Sequence, residues 1–303
     1  MGTFNSHCHL ELGFLKGAIP PGLPFAEWLE RLLPLKRAGS ALASAASARA
    51  GLAELAANGT TAVADILAMD TADEPLTEST TLRRVLFREV IDTNPRTGEE
   101  TLRGALDRQA LSRAKDALAR HGLSPHAPYT ITAPLLRAAV REARARGQWL
   151  CIHAAETVEE TELLLRRRGP LADFLLEFHL RAGWEHPGLR PVPWLAECGA
   201  LGPRTLLAHC NDIDDEDIRL MRESGASAVV CPGTHAYFAR GPFPLARLLE
   251  GGVRCYLGTD SLASNAALDM EREIALACDL SPGLDRDRVR ELADDSRADA
   301  FFR

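Results

Sequence analysis

The chain has 303 residues, 46% of them apolar, and a formal net charge of −7 with no basic block. Nucleic acid and anionic membranes both reward clustered Lys and Arg, so neither is an expected partner and a small molecule is. A chain this long can bury roughly three quarters of the surface its unfolded form exposes. Its seven cysteines (Cys8, Cys151, Cys198, Cys210, Cys231, Cys255 and Cys278) are odd in number, scattered, and include no Cys-x-x-Cys pair. That usage fits reduced core thiols in a cytoplasmic protein. No signal peptide opens the sequence, and no apolar run approaches the roughly 18 residues that a membrane span needs.

Short apolar runs, many of them β-branched, alternate with segments of helical period, the pattern of parallel βα units. Eight such runs are expected as strands: Thr3–Ser6, Thr60–Leu67, Arg84–Ile91, Leu123–His126, Trp149–His153, Thr205–His209, Ala226–Cys231 and Val253–Gly258. Eight of them close a (β/α)8 TIM barrel, read here as a single catalytic domain over residues 1–303. Thr132 with Pro134 opens a helix whose Leu135, Leu136, Ala139, Val140 and Ala143 share one face. The acids Asp214 to Asp217 read as helix capping and solvation, and Arg166 to Arg168 as a solvated helix end. One connection, Gly169 to Pro203, is long enough to be a lid or substrate wall. In it, Trp184 either lines the pocket or, with Trp194, staples the insertion to the barrel.

Working residues in such a barrel sit at the C-terminal strand ends. Those ends carry His7 and His9, His126, His153 with Glu156, His209 and Asp260, while His235 follows the seventh strand. Core packing explains so many histidines poorly, because each buried ring nitrogen needs a partner. A shared divalent ion explains them directly: imidazoles with one carboxylate suit Zn, or Fe, with a position left for water. Such an ion lowers the pKa of water from about 15.7 towards 7. Glu156, three residues past His153, then reads as the proton shuttle.

The set His7-x-His9-Leu10, Ser124-Pro-His126-Ala-Pro-Tyr129, His153-x-x-Glu156-Thr157, Ala208-His209-Cys210 and Leu257-Gly-Thr-Asp260-Ser-x-Ala-Ser264-Asn265 resembles the amidohydrolase superfamily. It is most similar to the branch that deaminates cytosine, S-adenosylhomocysteine, methylthioadenosine and related bases. The likeness runs from Asn5 to about Glu273. Each motif alone is weak, and five in order at strand ends are strong. The resemblance implies one metal ion on His7, His9, His153 and Asp260, and Glu156 passing a proton to the base. It implies His209 orienting the attacking water, Asp260 taking its proton, and His126 touching the base or leaving group. The opening His9-Leu10-Glu11-Leu12 with Phe25 and Trp28-Leu29 is similar to aminofutalosine deaminases of menaquinone biosynthesis, whose substrate joins adenine, a sugar and a benzoate tail.

The function expected from that resemblance is hydrolytic deamination of an adenine-type base by metal-bound hydroxide, releasing ammonia. The expected substrate-binding residues are His126, Glu11, Arg88, Trp184, His235 and Ser264. Arg88 is expected either on the tail or in a salt bridge with Glu89 or Asp65, and Glu11 either on the ribose hydroxyls or as a cap. A homodimer is compatible with this reading. The alternatives are deamination of another purine or pyrimidine, a chlorohydrolase or amidase reaction on the same site, and a non-catalytic metal-binding barrel. Retention of both Glu156 and Asp260 speaks against the last, since a binding module needs no shuttle. Two departures stand out: the flanking β-domain of relatives is absent or not included, and the seventh strand reads Cys231-Pro-Gly-Thr-His235 where many relatives have Ser-Asn after the proline.

Overall fold

A computed structural model describes residues 2–68, 81–116, 119–178, 180, 184 and 187–303. His179, Gly183 and His186 lie outside the described residues. Eight parallel strands run in sequence order around a barrel: β1 (Thr3–Cys8), β2 (Thr60–Leu67), β3 (Arg83–Val90), β4 (Arg120–Pro125), β5 (Leu150–Ala154), β6 (Thr205–His209), β7 (Ser227–Val230) and β8 (Arg254–Leu257). All eight expected strands are present, with ends moved by a few residues. The largest change is β4, which begins at Arg120 because Arg120 and His121 pair with Val85 and Leu86 of β3 despite their polarity.

The ring closes between β8 and β1. A parallel bridge joins Cys8 to Asp260, the backbone N–H groups of Thr259 and Asp260 both donate to the His7 carbonyl at 3.1 Å, and Ser6 Oγ donates to the Leu257 carbonyl. Asn5 adds a side-chain clamp, donating to Thr259 Oγ1 at 2.8 Å and accepting from Thr259 N–H at 3.2 Å.

Two apolar layers fill the fold. Inside the barrel, Phe4, Phe87, Cys151, Leu206, Val229 and Tyr256 pack together, and Trp149 stacks on Phe301 with centroids 4.1 Å apart. Outside, the alternate residues Leu123, Leu150, Ile152, Leu207, Ala228 and Val230 meet the helices, including Leu135, Leu136, Ala139, Val140 and Ala143 of the Ala133–Ala145 helix. Thr132 caps that helix, as its sequence position predicts. The period of two along each strand makes this inside–outside division.

The run Asp214 to Asp217 does more than the sequence reading gave it. Asp214 and Asp217 form reciprocal caps on the Asp215–Ser224 helix, but Asp217 is fully buried and takes a salt bridge from Arg190 at 2.9 Å. The reading of Arg166 to Arg168 as a solvated helix end agrees with the structure: all three are exposed, and Arg166 and Arg168 pair with Glu162. Among the described residues no helix is long and apolar enough to cross a membrane, and all seven cysteines are free.

Candidate active site

His7 reaches the barrel axis through an irregularity in β1. Between Asn5, opposite Val63, and Cys8, opposite Asp65, β1 spends three steps where β2 spends two. Strict alternation would send Phe4 and His7 to opposite faces. The extra residue lets Phe4 stay in the inner core while His7 faces Cys151 Sγ inside the barrel at 3.6 Å. Bulges at barrel rims re-aim side chains in this way. His9 follows β1 and its ring lies 5.0 Å from that of His7, so both rings reach one site although His9 is not in the strand.

Backbone strain marks the other strand ends. Ala155, His209, Cys210 and Asp260 all have left-handed φ values, 50°, 75°, 50° and 56°. Non-glycine residues hold such angles only when their surroundings impose them, and they cluster at functional sites.

These turns gather five donors. Ligand atoms of His7, His153 and His209 lie within 4.8 Å of one another, as do those of His7, His9 and Asp260. His9 Nε2 is 3.2 Å from His153 Nε2. Asp260 Oδ1 is 3.8 Å from His7 Nε2 and 3.7 Å from His9 Nε2. Donors each about 2.0–2.1 Å from a tetrahedral ion stand roughly 3.3 Å apart, so these spacings fit a small divalent cation.

The chemistry of the donors agrees with their spacing. His7 Nε2 is buried with no hydrogen-bond partner, which is costly unless something binds it. His153 Nδ1 lies 2.9 Å from the His126 carbonyl; a carbonyl can only accept, so Nδ1 is the donor there and Nε2 is the nitrogen turned toward the other donors. Burial, with mutual repulsion, holds the His7, His9 and His209 imidazoles neutral by pulling their pKa values well down. Burial and the Glu156 charge push the Asp260 carboxyl up to about 6, a direction that a bound cation reverses. Asp260 Oδ2 accepts from Ser264 Oγ at 2.9 Å and Thr234 Oγ1 at 3.2 Å, which leaves Oδ1 to face the histidines.

Glu156 stands beside this cage. Its Oε2 is 3.8 Å from His209 Nε2, its Oε1 takes a hydrogen bond from Arg240 at 2.8 Å, and its backbone N–H is held by Glu160. His126 completes the inner wall, with its ring 4.7 Å from His153, Nδ1 2.9 Å from Thr130 Oγ1 and Nε2 3.9 Å from Glu89.

A cavity of about 90 Å³ opens on these groups, walled by Leu12, Phe25, Trp28, Leu29, Leu32 and Phe238. An outer cavity of about 360 Å³ shares Phe25, Glu156 and Phe238 with it. His235 lines the outer cavity and hydrogen-bonds Asn211 and Gly241. Ser264 serves Asp260 and lines neither cavity. Glu11 and Arg88 are buried outside both linings. Trp184 lines neither cavity; it belongs to the apolar cluster of Leu163, Leu164 and Leu171, which also includes the cavity-wall residues Phe25, Trp28 and Phe238.

Arg240 lines the outer cavity and Glu89 and Lys36 the inner one, and none of the three was among the expected site residues. The signal for Lys36 was present: Phe25, Trp28, Leu29 and Leu32 predict a helix face that Lys36 continues.

The sequence profile of the amidohydrolase family matches residues 1–293. The chain belongs to the amidohydrolase family. This amidohydrolase is 31% identical over 289 residues to an aminodeoxyfutalosine deaminase of Deinococcus radiodurans, covering 93% of this chain and 68% of the relative. It is 31% identical to a 5′-deoxyadenosine deaminase of Methanopyrus kandleri, covering 91% and 60%. The chain thus spans about three fifths to two thirds of the length of these relatives. The crystal structure of Helicobacter pylori aminofutalosine deaminase in complex with methylthio-coformycin superimposes with a TM-score of 0.85 at 20% identity, covering 99% of this chain and 74% of that one. That likeness shows that the two chains share the barrel fold.

Proposed function

We propose that this amidohydrolase is a metal-dependent aminohydrolase that removes the amino group of an adenine-type nucleoside, with aminodeoxyfutalosine the leading substrate. The observation that carries the reading is the position of Glu156: one carboxylate oxygen is fixed by Arg240 and the other points at His209 beside a cage of imidazoles. The 31% identity to deaminases over nine tenths of the chain supports the substrate class. His7, His9, His153 and Asp260 would hold the ion, proposed as zinc from the imidazole-rich donor set. A divalent ion held there supplies Lewis acidity, which makes water a nucleophile near neutral pH.

The side chains divide the remaining work. His209, fixed by its strained backbone at the end of β6, orients the attacking water. Asp260, with Oδ2 anchored by Ser264 and Thr234, keeps Oδ1 available to accept a proton from that water. Glu156 Oε2 delivers one proton to the ring nitrogen, and the proton taken by Asp260 passes to the amine, which departs as ammonia as the carbonyl forms. His126, turned by Thr130, presents Nε2 to the base or the leaving group. The substrate is a small nucleoside-like molecule, and the reduced cysteines support a cytoplasmic location.

The test is ammonia release by the zinc-loaded protein from aminodeoxyfutalosine, 5′-deoxyadenosine, S-adenosylhomocysteine and guanine. Release from an adenine nucleoside is the expected result. A protein that frees no ammonia from any purine, yet dechlorinates a triazine or hydrolyses a cyclic ureide, would overturn the proposal.

A further inference from the structure

The helix α1 (Phe25–Ala38) covers the mouth of the barrel. Its residues Phe25, Trp28, Leu29, Leu32 and Lys36 fall on one face by helical spacing, and all five line the inner cavity. The first four make an apolar wall. Lys36 ends that wall with a charge.

The other charged groups around the two cavities are engaged. Arg240 is committed to Glu156 and stacks over Phe238 at 4.5 Å. Glu89 faces His126, and Asp260 is tied to Ser264 and Thr234. Arg88 is buried outside both linings. Within the described residues, the Lys36 ammonium makes no hydrogen bond and no ion pair. Lys36 as a residue is half-buried, and an ammonium brought against a ligand gives up water that only an anionic or hydrogen-bonding partner replaces.

Resting on the deaminase reading above, we propose that Lys36 determines substrate specificity by binding an anionic group carried on the 5′ side of the nucleoside. The apolar face of α1 holds the linking group, and the base lies toward His126 and Glu156. Because the wall between ammonium and base is aromatic and aliphatic, an aryl carboxylate fits it better than a compact phosphate.

The experiment compares, on the zinc-loaded full chain, an adenine nucleoside bearing a 5′-linked benzoic acid with its methyl ester. Affinities are measured by calorimetry in the Glu156→Gln background, and ammonia release in the wild type. The acid is expected to bind about tenfold or more tighter than the ester, as a charge-assisted hydrogen bond allows. Lys36→Met brings that ratio within about twofold of one, through KM more than kcat, and Lys36→Arg restores most of it. Because acid and ester are compared on the same variant, a partial folding defect cancels. A ratio that survives Lys36→Met, or a wild type that binds acid and ester alike, overturns the assignment. Adenosine 5′-monophosphate against adenosine is a second pair; a Lys36 dependence confined to it identifies the anion as phosphate. Preference for the acid in binding with no ammonia released from either compound would overturn the deaminase reading while leaving Lys36 as the anion site.

Discussion

Gly258 lies directly against His7: a Cβ on Gly258 would come within 2.8 Å of the His7 carbonyl oxygen and 2.9 Å of its Cβ. The glycine in Leu257-Gly-Thr-Asp260 is therefore required by close approach, since the His7 backbone is pinned there by two hydrogen bonds. Gly258→Ala is expected to push His7 from its position, costing roughly 1–3 kcal/mol of stability and weakening zinc binding by about tenfold or more. Competition with a chromophoric chelator and thermal unfolding check both effects. Unchanged zinc affinity would show that His7 does not need this contact.

Glu156→Gln keeps the shape of the proposed shuttle and removes its ability to exchange a proton. Ammonia release is expected to fall by about 10²–10⁴-fold in kcat, with the metal content by elemental analysis unchanged from the wild type. A variant that keeps more than about a tenth of the wild-type rate would remove Glu156 from the proton path.

Arg84 and Asp116 form a salt bridge in which both side chains are more than nine tenths buried. Burial lowers the pKa of Arg84, and Asp116 opposes that shift. Removing Asp116 takes the nearest carboxylate from a buried guanidinium, so Asp116→Ala is expected to cost about 1–3 kcal/mol. Urea unfolding of the two proteins measures the difference. Asp116→Ala together with Arg84→Met should recover much of it.

His121 on β4 is buried, and its Nε2 has no partner. Burial, aided by Arg113, pulls its pKa from 6.5 to about 4. Between those values the unfolded chain binds a proton that the folded chain refuses. Stability from this residue is therefore fully present above pH 6.5 and lost as pH falls toward 4, by about 3 kcal/mol at most. The unfolding free energy of His121→Gln, subtracted from that of the wild type over pH 7 to 4, should show that slope. A difference independent of pH would mean that His121 becomes protonated equally in both states.

The barrel was legible because its strands are short apolar runs in regular alternation with helices, and the cage because its histidines fall at the ends of those runs. The rest depended on information that period and spacing do not carry. A one-residue bulge in β1 does not register in a period-two pattern, yet it decides that His7 faces inward. Arg240 stands far from Glu156 in the chain, and only the fold brings guanidinium and carboxylate to 2.8 Å. Arg88 could be read from its strand either as the cation for a substrate tail or as a barrel salt bridge, and it lies outside both cavity linings, whereas Lys36 of the Phe25–Ala38 helix lines the inner one. Asp217 looked like a solvated cap because its neighbours are acidic, while its actual partner, Arg190, lies 27 residues away.

The seam between β8 and β1 joins the two ends of the barrel's strand order, and three of the proposed ligands straddle it: His7 and His9 on one side, Asp260 on the other. An ion held by all three is a clasp on a ring that backbone pairing alone closes sparsely. Chelation should then be felt first along that line, as faster amide hydrogen exchange in β1 and β8 than in β5 and β6. The protein's affinity for metal and the integrity of its circumference would be one quantity measured in two ways.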